Sequence, residues 1–366
     1  MKTNNKATTV SYYHDEAYTD EDPEHDIFDY DYDIKHDYFD VARRVYTGLC
    51  TFGFLINLVH MVILTRKELR TNLVYIVMIG ICICELTQSF TTILSYFMTL
   101  GIVYRIENVC GLAYFHVMID VLATTFQYLS RRCASILGLF LVVFRTCSII
   151  FPMSSAIDFV MRPKIGCLLV LTVTIMSSAY SFLYFSRAKI VKERECYLHE
   201  RSTYVLYTHE NSNKEMQFQL MDGYIAMVVC FLYIIVAGTL IFQLQKAKQR
   251  RKNLKAEKST STSGLILLMA TTAFFSETIY GVFYFLDYYV YYDKVFDNSM
   301  FQYLDSFVLI LMLVSSFTHC FTCFLMSSQY RQTAKNLFWR TTEKSRKTKD
   351  ITITHVHSVA KNTSNN

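Results

Sequence analysis

Charge is scarce in this sequence. Of its 366 residues 18% are Asp, Glu, Lys or Arg, against about 25% in an ordinary soluble domain. Proline (three) and glycine (eleven) are scarce as well. That leaves little turn material for the two or three soluble domains that the length alone would permit. The same figures exclude a collagen-like or disordered chain. Eleven cysteines in this length fall well short of a disulfide scaffold. No metal-ligand spacing occurs, and His355 and His357 near the C-terminus read as solvated. Neither an enzyme nor a cofactor or metal is expected. What the chain does have is apolar bulk, 52% hydrophobic and 15% aromatic, with 27 Tyr and 28 Phe against one Trp.

The apolar residues gather into seven stretches, at about 44–65, 72–98, 116–150, 164–185, 222–245, 264–286 and 303–326. A bilayer core about 30 Å thick needs roughly 20 residues of helix. The third stretch is long for one span and carries Arg131, Arg132 and Arg145. Many of these residues would suit strands in water. In lipid only helices or closed barrels satisfy the backbone, and runs this long are not barrel strands. The expected fold is therefore all-α, an integral membrane seven-helix bundle. No similarity between the halves points to an inverted-repeat transporter.

The flanks divide the chain into an acidic tail (1–40), a seven-span domain (41–340) and a C-terminal tail (341–366), both tails expected to be disordered. Residues 1–40 hold twelve acids against three Lys, a balance of −9, which leaves +14 for the remainder. Basic residues mark the loop after span one (Arg66, Lys67, Arg70), the loop after span five (Lys246 to Lys258) and the segment after span seven (Arg331 to Lys361). All three fall on one side of a seven-span count. Positive-inside then predicts an extracellular N-terminus, a cytoplasmic C-terminus and a multi-pass protein of the plasma membrane. No cleavable signal peptide is expected, because no apolar run precedes span one. Loops beside lipid are basic for topological reasons, so no nucleic-acid partner is expected.

Nine cysteines lie inside the spans, and only Cys110 and Cys196 fall in predicted outer segments. An oxidising compartment argues for a disulfide between them, the alternative being two free thiols. Residues 332–340, with Leu337, Phe338 and Trp339 among basic neighbours, suit a short amphipathic helix on the inner leaflet.

Short motifs carry a resemblance. Phe144-Arg145-Thr146 with Pro152 seven residues on, Asn57 in span one, Glu85 in span two, and His319-Cys320-Phe321-Thr322-Cys323 followed by Tyr330-Arg331 stand where rhodopsin-like G-protein-coupled receptors have their motifs. Several are altered forms. Together with Arg131-Arg132-Cys133, Met78-Ile79-Gly80, Phe274-Phe275, Glu277, Gly281 and Met326-Ser327-Ser328-Gln329-Tyr330-Arg331, they resemble the nematode serpentine receptors of class w. That class is similar to FMRFamide-type neuropeptide receptors. The resemblance spans about 44–340. The usual prolines of helices five and six and the tryptophan of helix four are absent.

The resemblance implies a receptor that converts binding of an extracellular peptide ligand into activation of a heterotrimeric G protein. A chemosensory receptor for a small environmental molecule is the alternative. It implies that Arg145 engages the G protein, and that Phe144, standing where the family has Asp, weakens the resting lock. It implies that the counterpart of Glu85 binds sodium or water with Asn57 and polar groups of helix seven. It places the Cys110–Cys196 bridge between the top of helix three and the following outer loop.

Intramembrane charge is costly and marks function. Glu85 lies about 14 residues, roughly 21 Å, into span two. Arg131 precedes Arg145 by 14 residues and Gln127 by 18, so both share its helical face, with Gly138, while Arg132 points away. Gln127, Arg131 and Glu277 are thus expected to line the ligand pocket, with an Arg131–Glu277 contact. The competing reading is a break in helix three with both arginines in water. Asn57, Glu85 and His319, joined by Thr318, are the expected polar core. Residues 11–40, with six tyrosines that read as sulfation acceptors, form a polyanion that would favour basic ligands.

Overall fold

A backbone N–H or C=O in lipid has no water to bond, so an apolar chain satisfies its backbone within helices. The computed structural model follows that rule. It describes residues 23–103, 114–151, 154–192, 207–210, 213–253, 261–293 and 298–337. The elements are α1 (Pro23–Leu64), α2 (Leu73–Val103), α3 (Tyr114–Ile150), α4 (Ser155–Val160), α5 (Pro163–Arg187), β1 (Lys189–Lys192), β2 (Tyr207–Glu210), α6 (Asn213–Asn253), α7 (Ser261–Asp293) and α8 (Asn298–Met326). Residues 328–337 form a last helix, α9. Two of the three prolines sit at helix starts, Pro23 in α1 and Pro163 in the first turn of α5, where a missing N–H costs nothing. The third, Pro152, lies outside the described residues.

The chain divides into two units, 1–42 and 43–366. In the first, α1 already begins at Pro23, so 23–40 is helical where the sequence reading expected disorder. Polar composition alone cannot report a helix that continues a transmembrane segment N-terminally.

In the second unit each apolar stretch falls in one long helix. Six stretches are long and apolar enough to cross a membrane: Arg44–Leu64, Leu73–Phe97, Tyr114–Ile150, Pro163–Arg187, Met216–Lys246 and Phe307–Leu325. The seventh long helix, α7, has Glu277 among Ser, Thr and Tyr residues at its centre. Burial is inverted relative to a soluble helix. On α5, Gly166, Ser177 and Ser181 are buried together with Val173 and Tyr184, while Leu168, Leu171, Ile175, Met176 and Phe182 are exposed. Small residues inside and large apolar ones outside are what helix packing in lipid requires. Serine and threonine hydroxyls turn back on their own helices, as Thr92 does to the Gln88 carbonyl at 3.0 Å and Thr125 to the Val121 carbonyl at 2.7 Å.

Helix α3 touches α2, α5, α6 and α7. It is one uninterrupted helix through Arg131-Arg132, so the expected alternative of a break does not occur. Its Cys133, Leu137 and Leu141, four residues apart, pack into a core with Val77, Met78 and Ile81 of α2, Val173 of α5, and Val229 and Tyr233 of α6. Between α5 and α6, β1 and β2 pair antiparallel, Lys189 opposite Glu210 and Lys192 opposite Tyr207, and lie against α3.

A short helix follows span seven as α9, over 328–337 where the sequence places it over 332–340; Phe338 and Trp339 lie outside the described residues. Ser327 caps it, its Oγ accepting from the Tyr330 N–H at 3.1 Å. Tyr330, Thr333 and Ala334 are buried and Leu337 packs on the core, the 3–4 spacing of a one-faced helix. The Arg331 guanidinium bonds the Leu325 carbonyl at the end of α8. Gln329 donates to the Glu68 carbonyl at 3.1 Å and Tyr75 meets Ser327 at 2.9 Å, fixing α9 against the α1–α2 loop and α2. Arg66, Lys67, Arg70, Arg331 and Lys335 thus belong to one end of the bundle, its basic face.

Candidate functional site

Two arginines and two carboxylates meet in the interior. Arg131 and Arg132 come from α3, Asp222 from α6 and Glu277 from α7. Asp222 is fully buried, and Arg132 is 2% exposed. The Asp222 carboxylate accepts from Arg131 Nη2 and, at 2.5 Å, from Arg132 Nε. Its backbone carbonyl accepts from Arg132 Nη2. Tyr280 donates its hydroxyl to Asp222 Oδ2 at 2.8 Å, and its ring lies beneath the Arg131 guanidinium, 3.4 Å from ring centroid to Cζ. Glu277 Oε2 stands 3.4 Å from Arg132 Nη1 and 3.7 Å from Arg131 Nη1. The four side chains balance in charge.

Local sequence makes the meeting possible. A Cβ on Gly223 would lie 3.4 Å from the Gly281 carbonyl oxygen, and one on Gly281 would lie 3.2 Å from that of Gly223. The backbones of α6 and α7 therefore approach closely, beside Asp222 and one turn from Glu277. Aromatic rings of α3, α5 and α6 gather nearby. Phe218 has its centroid 5.2 Å from Tyr128, 4.9 Å from Tyr180 and 5.4 Å from Tyr184.

A second polar group lies toward the basic face. His319 Nδ1 of α8 is 2.6 Å from Glu85 Oε1 of α2. Asn57 donates to Ser316 Oγ at 3.2 Å, and Cys82 donates its thiol to the Asn57 carbonyl at 3.2 Å. His60 meets the Tyr330 hydroxyl at 2.8 Å, which ties α1 to α9. A cavity of about 70 Å³ joins the two groups, lined by Glu85, Gln88, Arg131, Ser135, Glu277 and His319 among others.

The residues named from sequence fall as follows. Arg131 and Glu277 face each other, but Arg132, expected to point away, is the more deeply buried arginine and shares both acids. Neighbours 100° apart can both reach Asp222 because one approaches through Nη2 and the other through Nε. Gln127 turns to α2, donating to Thr92 Oγ1 at 3.3 Å, rather than to the cluster. Thr318 bonds Thr272 and the Ser315 carbonyl instead of Glu85. Arg145 lies in α3 five residues before its end, and its side chain is outside the described residues, as are Cys110 and Cys196. Asp222 was missed because it opens the apolar stretch and reads as a boundary, whereas α6 starts nine residues earlier. Charge balance was the available signal, since two buried arginines require two acids and Glu277 supplies one.

No curated protein matches the chain. The family model described as the serpentine type 7TM GPCR chemoreceptor Srw matches residues 44–341, from the first apolar helix to just beyond α9. The matched residues take in α1 from residue 44 and all of the other six long helices, α7 included. The chain belongs to this family of seven-transmembrane G-protein-coupled receptors, and is a multi-pass membrane protein of the receptor type.

Proposed function

We propose that this receptor stands in the plasma membrane with its N-terminus outside, binds an extracellular neuropeptide of the FMRFamide type, and passes the signal to a heterotrimeric G protein on the basic face. One observation carries the switch. The Arg131–Arg132–Asp222–Glu277 cluster ties α3, α6 and α7 together through charges that are costly to bury and strongly destabilising to break singly. A ligand group that trades places with one member shifts the balance between helix arrangements by its differential affinity for them. Arg145, near the basic-face end of α3, is the G-protein contact in this reading.

Peptide selection rests on charge. Both acids of the cluster already face arginines, so Glu277 is not a free anchor for a cationic ligand. The twelve acids of residues 1–40 remain as the attractor, drawing basic peptides electrostatically in a salt-dependent way. A Cys110–Cys196 disulfide would hold the β1–β2 connection over that end of the bundle. The chemosensory reading is favoured by the family's description as chemoreceptors.

Stimulated nucleotide exchange on a panel of G proteins, with a neuropeptide library beside a set of small volatile and water-soluble compounds, separates the two. Deleting residues 11–40 at equal surface expression should lower potency for basic peptides and flatten its dependence on salt. Unchanged potency with unchanged salt dependence would transfer support to the small-molecule reading.

A further inference from the structure

The resemblance to rhodopsin-like receptors leads one to expect a sodium ion beside Glu85, and the residues around it do not fit one. The position that a cation would take against Glu85 Oε1 is held by His319 Nδ1, 2.6 Å away. At that distance the imidazole fills the space beside the carboxylate oxygen that a cation would need. His319 is also where the family motif has Asn, an oxygen-bearing amide. A hard monovalent ion is thus offered a ring nitrogen where an oxygen ligand is expected.

The cavity rim argues the same way. Glu85 Oε2 and Ser135 Oγ are buried there without a hydrogen-bond partner, and so is Arg131 Nη1, which stands 3.7 Å from Glu277. This rim mixes acceptors with a guanidinium donor. Water satisfies both kinds, whereas a cation satisfies only the acceptors and is repelled by Arg131. The space of about 70 Å³ exceeds what one water needs.

We propose that His319 is the built-in substitute for the cation at Glu85, and that the cavity between Glu85–His319 and Arg131–Glu277 takes water and excludes sodium. The receptor's resting state is then insensitive to sodium, and water relays polar contact from the charge cluster to the polar core.

The test uses purified full-length receptor in nanodiscs, with thermal unfolding measured in sodium chloride and in choline chloride at equal ionic strength. Wild type is expected to show the same midpoint in both salts. His319→Asn, which restores the family's side chain and frees Glu85, is expected to acquire a sodium-specific rise of several degrees that Glu85→Gln in the same background abolishes. Where His319→Asn does not express, His319→Gln supplies the same amide oxygen. A sodium-specific stabilisation of wild type overturns the proposal. So does an Asn or Gln variant that stays insensitive, because the imidazole would then not be what holds the place.

Discussion

Asp222 decides the state of two arginines. It is fully buried, accepts from both guanidiniums and from Tyr280, and precedes Gly223, where α6 approaches α7 closely. Removing one partner from a buried charge set leaves the others uncompensated, at about 3–5 kcal/mol. Asp222→Ala should therefore destabilise the receptor by about that amount, visible as a lower unfolding midpoint. Combining it with Arg132→Met should recover part of the loss. Strict additivity would mean that the two side chains do not act on each other. Arg131 and Glu277, the pair legible from sequence as charges at matched depth, should couple more weakly, since they stand 3.7 Å apart. Arg132 and Asp222 were not legible. Face arithmetic treats a side chain as a vector from its Cα, and a long arginine beside an acid on the next helix does not obey it.

Among elements, the α6–α7 contact and the α9 junction carry the arrangement. Gly223 and Gly281 let two backbones touch, so Gly281→Val should push α7 from α6 and separate Glu277 from the arginines. The expected result is loss of well-folded protein at the surface, with Gly238→Val, where nothing lies within 4 Å of an added Cβ, as the tolerated control. At the other end, Tyr330→Phe removes the bond to His60, worth about 1 kcal/mol. Burial raises the Tyr330 phenol well above its ordinary range, so the phenol keeps its proton in any physiological buffer. The seven helices were readable from run length because lipid permits so few alternatives. A short helix after span seven was legible from Leu337, Phe338 and Trp339 among basic neighbours, though its start at residue 328 was not. The helical continuation to Pro23 and the β1–β2 pair were not, since neither leaves a run or a strict alternation in an otherwise polar segment.

For the whole molecule, the charge distribution predicts an orientation. Epitope tags at the two ends should stain oppositely in intact cells, the N-terminal tag without permeabilisation and the C-terminal tag only with it. Peptide mapping under non-reducing conditions should recover Cys110 joined to Cys196. The reverse staining pattern, or both thiols free to alkylation, would remove the basis for placing the ligand on the acidic side. The central claim is that the Arg131–Arg132–Asp222–Glu277 cluster holds the resting arrangement of α3, α6 and α7 in a receptor that drives G proteins. Its most direct test needs no ligand. Basal nucleotide exchange on co-reconstituted G protein is measured for wild type and for Asp222→Asn at equal amounts of folded receptor. The expected result is a several-fold rise in basal exchange for the variant. Equal basal exchange in a variant that unfolds more easily would show a cluster that only stabilises the bundle, and would contradict the account.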